Sequence, residues 1–108
     1  MTNDKTDIEN ISLAIAGDAE AFRILVDKYR NMVFTIALRM LGSREEAEDV
    51  AQEVFVKCFR SLKNFNHRAQ FSTWLYKIAY NHSIDQMKKL KTHRRSVELD
   101  SLNVHPAG

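Results

Sequence analysis

Glycine and proline, the two residues that break helices, occur in this chain only at Gly17, Gly42, Pro106 and Gly108. Everything between these points can be helix, and apolar spacing supports that. Ile8, Ile11 and Ile15 recur at helical intervals, which predicts a short first helix over 7–16 that Gly17 ends. Asp18 is placed to cap a second helix whose stripe is Phe22, Leu25, Val26, Tyr29, Val33, Ile36, Ala37 and Met40, and Gly42 stops it. Ser43 and Glu46 have the spacing of a capping box, so a third helix starts there, with Ala47, Val50, Ala51, Val54, Phe55, Cys58 and Leu62 facing inward. From Lys63 to Phe71 no stripe persists and two asparagines favour turns, which makes this the one substantial internal loop. Ser72 or Thr73 can cap a fourth helix, with inner face Leu75, Ile78, Ala79 and His82, running as far as Arg95.

The fold class that follows is all-α, a compact bundle of about four helices whose third and fourth members are joined by a functional loop. Residues 1–95 form the helical domain, and 96–108, which lack periodicity and carry Pro106, read as a linker or disordered tail. A hydrophobic content of 44% over 108 residues suffices for one modest core.

Several function classes are disfavoured. A lone cysteine, Cys58, forms no internal disulfide, and no C-x-x-C pair or Glu-x-x-His motif offers a metal site or needs a cofactor. Glu45, Glu46, Glu48, Asp49 and Glu53 cluster, but carboxylates at a helix start complement the macrodipole. The stretch Met32 to Leu41 is too short to span a bilayer and carries Arg39, while Met1 to Asn10 is too polar for a signal peptide, so a cytoplasmic location is expected. No nucleophile constellation, phosphate loop or H-E-x-x-H motif points to an enzyme.

Charge supplies the positive signal. Residues 61–95 carry eight Lys/Arg against a single acid, Asp85, whereas 43–60 carry three against five. Such asymmetry suits a polyanion at one end and a different partner at the other. On the third helix, Asp49, Gln52, Glu53, Val56 and Arg60 lie opposite the core stripe; this is either a solvated face or a partner surface centred on Val56. On the fourth helix, Lys77, Asn81, Ile84, Lys88, Lys91 and Arg95 form a basic stripe, and Tyr76, Tyr80 and Met87 form another. The preceding loop brings Phe65, His67, Arg68 and Phe71, with Trp74 at the helix entrance. Cations beside aromatics that can stack on bases are what single-stranded nucleic acid binds, though Trp74 can equally close the core.

Two motifs carry a family resemblance. Asp49 to Phe55, DVAQEVF, resembles the D-x-x-Q-E-x-F signature of bacterial sigma factors, and Phe71 to Asn81, FSTWLYKIAYN, resembles the F-x-T-W-L-[YF]-[RK]-I-A-x-N run of their extracytoplasmic-function (ECF) branch. The likeness extends over roughly residues 10–95. It implies a non-enzymatic transcription-initiation domain whose third helix binds the clamp helices of the largest subunit of core RNA polymerase. The following loop would hold a base flipped from the non-template strand of the minus-ten promoter element. By position, Asp49, Gln52 and Glu53 face the polymerase, with Val56 in the same stripe. Asn64, Phe65, Asn66, His67, Arg68, Ala69 and Gln70 form the capturing loop, and Asn81, Lys88 and Lys89 line the DNA side beside Trp74, Lys77, Lys91 and Arg95 of the basic surface. An anti-sigma factor is an implied further partner. The rival reading is a helical protein-interaction module, or a regulator that copies a sigma surface without binding DNA.

Three departures from the pattern stand out. Trp74 is followed by Leu75 where housekeeping sigma factors have a second tryptophan. Lys88 and Lys89 stand where arginines are frequent, and a lysine contacts phosphate as a point charge without arginine's fork. Asn66 occupies a common arginine position. The second helical domain that the resemblance implies, the one that reads the upstream promoter element, is missing from this sequence; either this is an excised domain or the parent continues beyond Gly108, and the linker-like tail favours excision.

Overall fold

The computed structural model describes residues 5–103, which form α1 (Lys5–Ile15), α2 (Ala19–Leu41), α3 (Arg44–Ser61), a 3-10 turn at Leu62–Asn64, and α4 (Phe71–Asn103), with no strand among them. The expected punctuation operates. Asp18 accepts hydrogen bonds from the backbone N–H groups of Glu20 and Ala21 at 3.0 and 3.2 Å, meeting donors that a helix start leaves orphaned. Gly42 takes the left-handed conformation and donates to the Leu38 carbonyl, closing α2. Ser43 Oγ accepts from Glu46 N at 3.3 Å, but the Glu46 carboxylate turns to α4 and accepts from Gln86 Nε2 at 3.2 Å.

The core is built from Ile11 and Ala14 of α1, Leu25, Val33 and Ala37 of α2, Ala47, Val50, Val54 and Cys58 of α3, Leu62 and Phe65 beyond it, and Phe71, Leu75 and Ala79 of α4. Helices α2, α3 and α4 pack on one another, and α1 lies against α2. Ser83, absent from the expected inner face, is fully buried and donates to the Ala79 carbonyl at 2.7 Å, a one-turn back-bond that lets a hydroxyl enter the core.

Two expectations need correction. The inner face of α1 is Asp7, Asn10, Ile11 and Ala14, while Ile8 and Ile15 are exposed. In this orientation the Asp7 carboxylate faces α2, where Lys28 and Tyr29 donate to it. Secondly, 96–103 is not irregular: α4 begins at Phe71, earlier than Ser72 or Thr73, and continues unbroken to Asn103. No Gly or Pro stops it, and its residues 91–101 are exposed, so local propensity alone carries these turns. Their projection makes the molecule long, 68 Å against 27 and 22 Å. Residues 104–108, the rest of the expected tail, lie outside the described residues.

Candidate nucleic-acid and partner interfaces

The outer stripe of α3 lies open as its periodicity dictates: Asp49, Gln52, Glu53, Val56 and Arg60 are all exposed. Val56 keeps 49% of its surface in water, an apolar centre in a polar stripe. Beside it runs a groove of about 560 Å³ between α2 and α3, whose floor includes Val26, Phe34, Ala51 and Phe55 and whose rim includes Arg30, Asn31, Arg44, Glu48 and Gln52. Arg44 lies over the Phe34 ring at 5.6 Å, which fixes one wall. The α2 half of this surface was not legible from periodicity, because a stripe shows which face of a helix is polar but not which neighbour extends it. Glu53 has a second attachment, since its carboxylate sits 3.3 Å from His82 Nε2 and ties the open face of α3 to α4.

The α3–α4 connection is a short ordered loop over an aromatic base. Phe65, expected among the DNA-contacting residues, is a core residue with 6% exposure and cannot stack on a base. Its ring meets those of Phe71, Trp74 and His67 at 5.7, 5.2 and 4.6 Å. Above it, Asn66 Oδ1 accepts from Arg68 N at 3.0 Å, an Asx turn, and His67 adopts the left-handed region at φ 62, which non-glycine residues seldom enter. Asn64, Asn66, His67, Arg68 and Ala69 are exposed, and Gln70 is half-buried. Trp74 combines its two readings: it is half-buried, packing against Phe65 and Phe71 while part of its surface remains open.

Along α4, Lys77, Asn81, Lys88, Lys89, Lys91 and Arg95 are exposed. Trp74, Asn81, Lys88 and Arg95 follow at seven-residue intervals, so one stripe leads away from the loop, with Lys77 and Lys91 beside it. Lys89 is about 100° round the helix from Lys88 and flanks this stripe on the α3 side. Tyr76 and Tyr80 stack on the opposite flank, ring centroids 6.1 Å apart. The geometry therefore offers an acidic, amide-bearing face on α3, a polar loop propped by aromatics, and a cationic track, all on one rigid bundle.

Residues 25–93 match the family described as Sigma-70 region 2. The chain is similar to the ECF RNA polymerase sigma factor SigW of Bacillus subtilis, 44% identical over 75 residues that cover 69% of this chain and 40% of that protein. It is also similar to the ECF RNA polymerase sigma-E factor of Haemophilus influenzae, 40% identical over 81 residues covering 75% and 42%. Among solved structures it resembles an engineered region 2 of sigmaE, determined by NMR in complex with GTAAAA, at 35% identity and a TM-score of 0.73, covering 88% of this chain and 97% of that one. The chain thus spans about two fifths of the length of the curated relatives it matches.

Proposed function

Because this chain belongs to the Sigma-70 region 2 family, we propose that it docks on core RNA polymerase and captures a flipped non-template base of the minus-ten promoter element as a non-enzymatic initiation domain of the ECF type. The observation that carries this reading is the loop: exposed amide, imidazole and guanidinium groups at 66–68 stand on a buried aromatic base where the cationic track begins. The similarity to a region 2 solved with GTAAAA supports the same assignment.

In this mechanism the polymerase holds the domain through Asp49, Gln52, Glu53 and Val56, with the neighbouring groove receiving an apolar side chain of the clamp helices. Lys77, Lys88, Lys91 and Arg95 hold phosphates beside Asn81, and Lys89 reaches them from the flank. The rim of Trp74 borders the opened step. A base pulled from the duplex costs a few kcal/mol of unstacking, and contacts to its edge from Asn64, Asn66, His67, Arg68, Ala69 and Gln70 offset that cost. No second tryptophan follows Trp74, so strand separation leans on the loop rather than on a double aromatic wedge. The α4 extension, residues 96–103, serves as a connector out of the domain. The setting is the cytoplasm, and an anti-sigma factor regulates the protein by covering these faces; among the described residues no helix is long and apolar enough to cross a membrane.

A pull-down with core RNA polymerase tests the assignment. The wild-type chain should be captured, whereas Asp49→Ala and Gln52→Ala should each abolish capture while unfolding free energy shifts by no more than about 0.5 kcal/mol, as exposed positions allow. Absence of wild-type capture would overturn the proposal.

A further inference from the structure

α1 lies outside the matched region 25–93, yet it carries the most buried acid of the described residues. Asp7 exposes 3% of its side chain and receives Lys28 Nζ at 2.8 Å together with the Tyr29 hydroxyl. A carboxylate so far from water persists only where donors replace its hydration, and the bonds in turn fix where those donors sit. Tyr29 is thereby held by its oxygen at one end. Its ring meets Phe71 edge-on at 5.4 Å, and Phe71 opens α4 immediately after the loop. Phe71 packs on Phe65 and Trp74, both at 5.7 Å, and Phe65 lies under His67. Contacts therefore run without a gap from α1 to the base of the loop, through side chains as closely packed as protein interiors are, where a displacement at one end is not absorbed along the way.

We propose that Asp7 is a positioning residue for the base-reading loop, setting the seat of Phe65 and His67 through Tyr29 and Phe71. This rests on the loop function proposed above. It assigns a role in promoter discrimination to α1, which packs on α2 and against the 3-10 turn at Leu62–Asn64 that leads into the loop.

Two readouts test it on the full chain. Trp74 is the sole tryptophan and sits within the cluster, so its fluorescence reports the loop base without any DNA. Asp7→Ala should make Trp74 more accessible to acrylamide, while Asp7→Asn, which keeps an acceptor oxygen, should restore most of the protection. With polymerase bound, Asp7→Ala should lose roughly 3- to 10-fold of the discrimination among minus-ten oligonucleotides varied one base at a time, the size expected for a residue acting through a packed network. Polymerase capture and the salt dependence of binding should not change. If Asp7→Ala does not fold, Tyr29→Phe, which keeps the ring and removes only its hydroxyl, carries both measurements. Folded variants with wild-type quenching and wild-type discrimination overturn the proposal, and a lowered melting temperature alone means that Asp7 is merely structural. A wild-type protein without base preference refutes the loop function instead, and Trp74 quenching then decides whether the contacts from Asp7 through Tyr29 and Phe71 reach the loop.

Discussion

Cys58 lies inside the core, and burial pushes its thiol up from an ordinary value of 9.0 to about 12. The folded state therefore favours the neutral thiol more strongly than the unfolded chain does. The stability this contributes is whole below pH 9 and is lost as pH rises toward 12, because the unfolded chain ionises first. At neutral pH the reactive thiolate forms only after unfolding, so alkylation by iodoacetamide should be slower than in denaturant by at least about 10³-fold and should track global opening. Rapid labelling of the native protein would show the site to be open. The inward place of Cys58 was legible because its helical register determines it. That of Phe65 was not: a loop has no period, and its burial depends on Phe71 and Trp74 arriving from another element. Asp7 was missed for a related reason, since only the meeting of two helices reveals that Lys28 and Tyr29 can satisfy a buried acid.

Helix boundaries were legible where a side chain or a backbone conformation enforces them. Asp18 and Gly42 act locally, and each can be tested alone. Asp18→Ala should cost about 1 kcal/mol by leaving the Glu20 and Ala21 amides unpaired. Gly42→Ala should cost about 1 kcal/mol as well, but for another reason: nothing lies within 4 Å of an added Cβ, so only the left-handed φ of 69° is unfavourable. Denaturant titrations of both variants check this, and a loss well above 2 kcal/mol at Gly42 would mean that the added methyl meets a steric obstacle. The C-terminal part of α4 was misjudged because lack of an apolar stripe argues only against burial. A helix without a breaker can continue as a solvated rod, as residues 91–101 do.

At the scale of the whole molecule, the charge division seen in the sequence becomes a spatial one, and under the proposed function it would separate two kinds of DNA recognition. In the proposed mechanism, lysines on α4 attract any phosphate, because a point charge carries no information about the base, whereas the polar groups of Asn64, Asn66, His67, Arg68 and Gln70 would reach base edges only once a base leaves the stack. Replacing Lys88 and Lys89 together by Ala should weaken polymerase-dependent binding of all minus-ten single strands alike. It should also flatten the salt dependence by about 0.7 in log–log slope for each phosphate that a lysine no longer neutralises. The two positions diverge by about 100° around the helix, so single variants should divide that effect unequally, with Lys88, on the stripe with Asn81, taking the larger part. Asn66→Ala and His67→Ala should leave the slope nearly intact and reduce discrimination at one base position by about 1–3 kcal/mol. Neither residue can be replaced without a local effect, since Asn66 caps the Arg68 amide and His67 holds a left-handed conformation. For that reason the salt slope is the better measure of whether the phosphate track survives. Fluorescence titrations over a salt series, with oligonucleotides varied base by base, separate the two classes; equal flattening by lysine and loop variants would refute the division between a base-reading loop and a phosphate-holding helix.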